Sequence, residues 1–377
     1  MAIAEAEVLD EHRFAGGRLT IDLAALARNW QTLDRHSRGA VTAAVVKSDA
    51  YGIGLEPAAR ALSRAGCTTF FVALPVEGIR LREALPNATI YVLNGLLEGG
   101  TEIYAAANLR PALSSLPEVE EWAAYRRNGG RLEAALHVDT GMNRLGLSMG
   151  EVERYLREYD HEALGITLVM THLTCADMPD HADNADQLEL IREIRDHFPR
   201  VPLSAANSAG VFLGADFHFD LVRPGIALYG GAAVTGIANP MEPVVTLEAR
   251  ILQVRAAAHT ETVGYGSVES LGRPSMLAIA SIGYADGYPR HASSSDEKSG
   301  GRAWINERSA PIVGRVSMDL IALDVTDIPG TRRGDWAELF GPNVPIHEVA
   351  DHAGTIDYEL LTRLSVGSRH HRTYRGD

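Results

Sequence analysis

Short runs of β-branched and small apolar residues alternate with amphipathic stretches from about Arg18 to Gly230, and this alternation leaves the chain few folds to choose from. The runs are Val41 to Lys47, Thr68 to Leu74, Thr89 to Leu93, Arg110 to Ser114, Leu132 to Asp139, Ile166 to His172, Pro202 to Asn207 and Phe219 to Arg223. A run apolar on both strand faces belongs in a parallel sheet covered by helices. Between the runs, Glu56 to Ala65, Pro75 to Leu85, Pro117 to Asn128, Gly150 to Tyr159 and Asp180 to His197 carry helical spacing. Several of these open on a proline, which the first helical turn accepts. About eight β-α units in roughly two hundred residues predict a (β/α)8 TIM-type barrel rather than an open sheet.

The texture changes after Pro240. Val244 to Ala257, Ser275 to Ser281, Arg302 to Asn306, Ala310 to Val325 and Trp336 to Phe340 are β-rich runs separated by Gly and Pro turns. They predict a mostly antiparallel β-domain closed by a helix from Asp357 to Val366. The expected fold is therefore α/β, with a barrel over 1–240 and a β-domain over 241–377. The strand-like run Arg18 to Leu23 is free to join the second domain. The polar tract His291 to Gly301 reads as a mobile hairpin loop.

Charge excludes some functions. With 35 basic and 49 acidic residues the net charge is -14, which argues against a nucleic-acid or anionic-membrane surface. Two cysteines, Cys67 and Cys175, are too few for a disulfide framework or a zinc cluster. Met1 to Arg13 shows no basic segment followed by an apolar one, and no apolar run reaches membrane-spanning length. The expectation is a cytoplasmic protein.

Lys47, Asp139, His172, Asn207 and Arg223 all fall at or just beyond the C-terminal end of a predicted strand, the face on which such barrels build their sites. A lysine at the mouth of a buried strand is costly unless paired or covalently used, and lysine forms Schiff bases when its pKa is lowered. Asn207-Ser208-Ala209-Gly210 and Arg223-Pro224-Gly225-Ile226 follow the seventh and eighth strands, where barrels commonly hold phosphate. Taken singly, the lysine reads as a snorkelling strand end and the loops as ordinary caps and turns. Together they point to pyridoxal phosphate, held as a Schiff base on Lys47.

Lys47 with Asp49-Ala50-Tyr51-Gly52, then Val138-Asp139-Thr140-Gly141-Met142-Asn143-Arg144-Leu145-Gly146, resembles the alanine racemase family. So do Thr171-His172, the two loops above through Gly230, Gly264-Tyr265-Gly266, Ile282 to Gly287 and Gly314-Arg315-Val316-Ser317-Met318-Asp319. The resemblance implies pyridoxal 5'-phosphate, an amino-acid substrate and a head-to-tail homodimer. It implies that Lys47 is one catalytic base and Tyr265, reaching across from the partner subunit, the other, because racemisation takes a proton from one face and returns it on the opposite one. His172 matches a neighbour that tunes the phenol. Arg223 matches the position facing the pyridine nitrogen, where it donates a hydrogen bond but hands over no proton. Tyr51, Asn207, Ser208, Gly225, Ile226 and Tyr374 map onto cofactor-binding positions, mostly at the phosphate. Arg144, Met318, Tyr284 and Asp319 map onto substrate-binding positions, Arg144 also meeting the cofactor.

Two positions depart from the family pattern. His137 stands where many members carry a carbamylated lysine that orients the arginine, so a bound anion or a nearby carboxylate is expected to neutralise Arg144. Ser204 stands where many have histidine, leaving the support behind Arg223 open. His347-Glu348-Val349-Ala350-Asp351 lacks the second histidine of a zinc-protease motif, and the acidic stretch Asp177 to Asp186 with His181 reads as a solvated helix start, so no metal is expected. The reading is D-alanine formation for peptidoglycan or L-alanine breakdown. A broad-specificity or serine racemase is the alternative enzyme, and a non-catalytic pyridoxal-phosphate-binding protein the alternative of another class.

Overall fold

Residues 14–364 and 369–376 are described by the structure, a computed structural model of the chain. Met1 to Arg13, read above for a leader, and the last residues of the helix expected to reach Val366 lie outside them. The described residues divide into two units, Leu23–Glu242 and the residues up to Asp22 together with Pro243 onward.

β1 (Gly17–Asp22) belongs to the second unit. The first unit opens with α1 (Leu23–His36), a helix the sequence reading passed over, which buries Leu23, Leu26, Trp30 and Leu33 along one face. The run Val41 to Lys47 breaks at Ala43 into β2 (Val41–Thr42) and β3 (Ala44–Val45), which pair with different neighbours. The chain continues through α2 (Lys47–Tyr51), α3 (Leu55–Ala65), β4 (Thr69–Val72), α4 (Pro75–Ala84), β5 (Thr89–Val92) and α5 (Thr101–Ala107). Then come β6 (Arg110–Leu113), α6 (Leu116–Arg127), β7 (Ala134–His137), α7 (Met149–Glu158), β8 (Ile166–Met170) and α8 (Asp183–His197). The unit closes with β9 (Leu203–Ser204), α9 (Ser208–Phe212) and β10 (Leu221–Val222).

Strands β3 to β9 form one parallel sheet in chain order, and β10 pairs parallel with β2. The seam between β9 and β10 is closed by Asp220 N–H to Leu203 O at 3.0 Å and Arg223 N–H to Ala206 O at 2.8 Å. The result is the expected (β/α)8 barrel. β4 and β7 are buried at every position, as strands flanked on both faces must be. Each strand ends before the polar residues that follow it, so Lys47, at the start of α2, and Asp139, His172, Asn207 and Arg223, in the loops, stand at the C-terminal mouth.

Helix starts also fasten that mouth. Ser148 and Glu151 form a reciprocal capping box at α7, with Ser148 N–H to Glu151 Oε2 at 2.8 Å. Glu118, in the first turn of α6, accepts Ser114 N–H at 3.1 Å from its own strand end and Leu96 N–H at 3.0 Å from the preceding unit. Gln187 of α8 accepts Thr174 N–H at 2.8 Å and donates to Thr140 Oγ1 at 2.9 Å. These side chains satisfy backbone groups that the strands leave open.

The second unit continues with β11 (Val245–Ala257), β12 (Ser275–Ala280), β13 (Arg302–Ile305), β14 (Arg308–Pro311), β15 (Ile321–Asp324) and β16 (Trp336–Phe340). It ends with α10 (Ile346–Ala353), α11 (Asp357–Arg363) and β17 (His370–Arg375). β11 is the spine, antiparallel to β1, β12 and β16, and β1 runs parallel to β17. The β-rich run Ala310 to Val325 takes in the end of β14 and all of β15, parted by residues 312–320. The tract His291 to Gly301 is not the loose hairpin expected. Ser294 within it is buried, donates to Ile312 O at 2.8 Å and accepts Gly314 N–H at 2.8 Å. Among the described residues no helix is long and apolar enough to cross a membrane.

Candidate active site

Lys47 follows the end of β3 by one residue, Val46, and the backbone after it turns the unusual way. Ser48, Asp49, Ala50 and Tyr51 have φ of 55, 56, 54 and 54°, a left-handed turn made without glycine and ended by Gly52 at 85°. Left-handed helical backbone costs about 1–2 kcal/mol per non-glycine residue, so the surroundings must impose it. Gly52 N–H returns to Ser48 O and Gly54 N–H to Asp49 O, both at 2.9 Å. Asp49 Oδ1 accepts Leu55 N–H at 3.1 Å and an Arg80 guanidinium N–H at 3.2 Å. Burial lowers the Lys47 ammonium from its ordinary value, the Arg144 charge lowers it further, and Glu77 raises it.

Beside Lys47 the barrel mouth forms a small cradle. Ser208 Oγ accepts the N–H groups of Gly225 at 2.8 Å and Ala227 at 3.2 Å. Asn207 caps α9, its Oδ1 accepting Gly210 N–H at 2.9 Å. A Cβ at Gly225 would collide with Tyr51 Oη, so the loop needs glycine there. The Tyr51 ring stacks on Tyr229 at 4.5 Å between centroids, and Tyr229 Oη donates to Val45 O at 2.8 Å, tying the cradle to the Lys47 strand. Ile226 is buried behind it.

Arg223 is 3% exposed and donates to Ser204 Oγ and to Thr171 O, with Phe71 under its guanidinium at 5.9 Å. Ser204 thus supplies the support that the sequence left open. Burial lowers the Arg223 guanidinium to about 9, which leaves it charged at neutral pH. His172 is held well below the ordinary histidine value, by burial first and then by the Arg223 and Arg144 charges, so its ring is neutral. His137 is buried and lowered to about 4, again by burial first and Arg223 second. Its Nδ1 lies 3.4 Å from Ser114 Oγ, whose proton goes to Ala112 O at 2.9 Å, so the ring is best assigned with its proton on Nδ1.

Arg144 ends a turn that Asp139 organises by accepting the N–H groups of Gly141, Met142 and Asn143, each at 2.9 Å. The Arg144 side chain is exposed, and among the described residues it makes no ion pair with a carboxylate. The carboxylate half of the expectation for Arg144 is therefore corrected. Asp139, the nearest acid in sequence, spends its oxygens on its own turn.

The other candidates lie in the second unit. Tyr265 is 70% exposed on a turn between Gly264 and Gly266, with the Arg315 guanidinium against Gly266. Tyr284 N–H reaches Ser317 O and Ala285 N–H reaches Met318 O, both at 3.0 Å, which brings Tyr284 and Met318 together. Asp319 pairs with Arg369 at 2.6 Å, and Tyr374 sits in β17 opposite Ile21. The sequence reading missed Glu77, Arg315 and Thr171 as partners of these groups; each was visible only as part of a motif or a helix start.

Cys175, His181 and Asp183 place donor atoms within 4.8 Å of one another at the start of α8. They are engaged locally, Asp183 N–H to His181 Nδ1 at 3.3 Å and the Cys175 thiol to Asp183 Oδ2 at 3.7 Å, as at an ordinary helix start.

Two family descriptions match in succession, the alanine racemase N-terminal domain over residues 21–233 and the alanine racemase C-terminal domain over residues 244–374. The chain belongs to the alanine racemase family. The biosynthetic alanine racemase of Agrobacterium fabrum is 48% identical over 366 residues, covering 95% of this chain and 93% of that protein. The catabolic alanine racemase of the same organism is 45% identical over 365 residues, covering 96% and 92%. Among solved structures, alanine racemase from Bartonella henselae with covalently bound pyridoxal phosphate superposes with a TM-score of 0.89 at 40% identity, covering 96% of this chain and 99% of that one. Biosynthetic and catabolic family members are thus similar to this chain to nearly the same degree.

Proposed function

We propose that this alanine racemase family member interconverts L- and D-alanine by two opposed bases, with pyridoxal 5'-phosphate carried on Lys47. The observation that carries the reading is the Lys47 amine, half-buried at the barrel mouth, with burial and the Arg144 charge lowering its pKa against the opposing effect of Glu77. The residues fit the cofactor. The Ser208–Gly225 cradle, which a Cβ would close, suits a phosphate together with Tyr51, Asn207 and Ile226. Arg223, buried and charged, suits the pyridine nitrogen as a donor.

When bound, pyridoxal phosphate supplies a carbonyl for the amine and an electron-withdrawing ring that acidifies the substrate α-proton. Lys47 Nζ would hold or return that proton on one face. Tyr265 Oη serves the opposite face from the partner subunit of a head-to-tail homodimer. Its exposure, and that of Met318 at 51%, supports a surface which a second copy covers. Arg223 keeps its proton, which leaves the ring a weaker electron sink than a carboxylate partner would and favours reprotonation at the α-carbon. Arg144, with no carboxylate of its own among the described residues, is the anchor for the substrate carboxylate, and Tyr284, Met318 and Asp319 match the family's substrate-binding positions. His172, neutral, offers hydrogen bonding without adding charge. The proposed setting is the cytoplasm, with the reaction serving either D-alanine supply to peptidoglycan or L-alanine breakdown.

The test is borohydride reduction of the holoprotein followed by peptide mapping, with chiral chromatography of a panel of L-amino acids. The sequence holds two lysines, Lys47 and Lys298, so the assignment is unambiguous. Label on Lys47 and racemised alanine are expected; label on Lys298 or on neither overturns the reading. The panel also addresses serine, since a methyl-sized difference shifts preference by only about 1–3 kcal/mol.

A further inference from the structure

We propose that Glu77 is a positioning residue for Lys47, its one carboxylate tying the amide that follows the lysine to the end of the neighbouring strand β4 and holding the left-handed turn that aims the amine. The proposal rests on the reading of Lys47 as the cofactor-bearing residue and goes beyond it by naming what fixes that residue in place.

Glu77 lies in the first turn of α4, and its carboxylate is shared between two neighbouring strands. Oε1 accepts Ser48 N–H at 2.6 Å, the first amide after Lys47. Oε2 accepts Ala73 N–H at 2.8 Å and Leu74 N–H at 3.1 Å, the two amides that follow β4. A charged acceptor makes the stronger class of hydrogen bond, and here it fixes the end of β3 relative to the end of β4. Arg80, three residues on and so on the same helix face, reaches the same turn by pairing with Asp49 at 3.2 Å. One face of α4 therefore straps the four residues that carry positive φ. Removing the strap frees a backbone conformation that non-glycine residues leave readily. The carboxylate also adds a negative charge opposing the effect of Arg144 on the amine. Glu118 grips two strand ends in the same manner on α6, away from Lys47, and supplies a built-in control.

The experiment uses the full-length apoprotein labelled with [13Cε]lysine, which gives two lysine signals, one from Lys47 and one from Lys298. In Glu77→Gln the Lys47 titration midpoint is expected to fall by roughly half a pH unit or more, with faster hydrogen exchange at Ser48, Ala73 and Leu74. Glu118→Gln is expected to leave Lys47 where it was. Glu77→Asp, which keeps the charge but is too short to reach all three amides, is expected to restore the midpoint while exchange stays fast, and it reads the same signals should Glu77→Gln not fold. An unmoved midpoint with unmoved exchange in Glu77→Gln, or an equal shift in Glu118→Gln, overturns the proposal. Because no cofactor is present, failure of the Lys47 assignment itself shows separately in the borohydride map.

Discussion

Arg223 and Ser204 form a buried pair in which the guanidinium donates to the hydroxyl, and the hydroxyl passes its own proton to Leu221 O at 2.6 Å. Ser204→Ala leaves one arm of a buried cation unpartnered. The expected loss of stability is about 1–3 kcal/mol, read by urea denaturation. Ser204→Thr, which keeps the hydroxyl, is expected to recover part of it.

The cradle predicts a coupled pair of substitutions. Gly225→Ala drives a methyl into Tyr51 Oη and is expected to weaken retention of pyridoxal phosphate by at least about tenfold. Tyr51→Phe alone removes a cofactor contact and also weakens retention. Combined, the two are expected to be less damaging than the sum, because the clash is gone. Equilibrium dialysis of the cofactor measures all three.

The arrangement of bases predicts complementation. Lys47→Ala and Tyr265→Phe are each expected to be nearly inactive alone. In a head-to-tail dimer, mixing them creates hybrids with one site carrying both natural residues. After full subunit exchange, about a quarter of the natural activity is expected. No recovery on mixing, once exchange is verified, assigns both bases to one subunit.

His137 predicts acid sensitivity. Its ring titrates near 4 in the folded protein against an ordinary 6.5, so between those values the unfolded chain binds more protons. The stability this contributes is complete above pH 6.5 and is lost as the pH falls toward 4, by up to about 3 kcal/mol. Denaturant midpoints measured across that window should slope upward with pH, and His137→Leu should flatten part of the slope.

Arg144 predicts an electrostatic effect of opposite sign to that of Glu77. Its charge lowers the Lys47 ammonium, so Arg144→Gln is expected to raise the Lys47 titration midpoint, by roughly a few tenths of a pH unit since the arginine is solvent-screened. The lysine carbon signal reads this directly, and a midpoint that falls contradicts the assignment.

Much of the barrel was legible because a strand buried on both faces must be apolar throughout: Thr69 to Val72 and Ala134 to His137 announced themselves. Strand ends were less so, because Lys47 and His172 share apolar neighbours with the strands yet sit beyond them. α1 was hidden because Asn29 interrupts its apolar face, and Asn29 is buried by donating to Leu228 O at 3.1 Å and Glu242 O at 2.9 Å, far along the chain. The catalytic candidates were legible through motif resemblance, since lone lysines and tyrosines carry no such signal. What no pattern foretold is the left-handed turn at Ser48 to Tyr51: none of these residues favours positive φ as glycine does, and the groups that impose it, Glu77 and Arg80, lie on a later helix.

β1 is clasped between β11 and β17, and Thr20 faces Thr373 across 353 positions of sequence. During synthesis this early strand must wait, edges open, while the whole Leu23–Glu242 unit emerges and gains the means to fold on its own. The second sheet can be completed only when His370–Arg375 have left the ribosome. A stalled or C-terminally clipped chain would then carry a competent barrel and an unsealed β edge, the kind of surface that chaperones and proteases recognise.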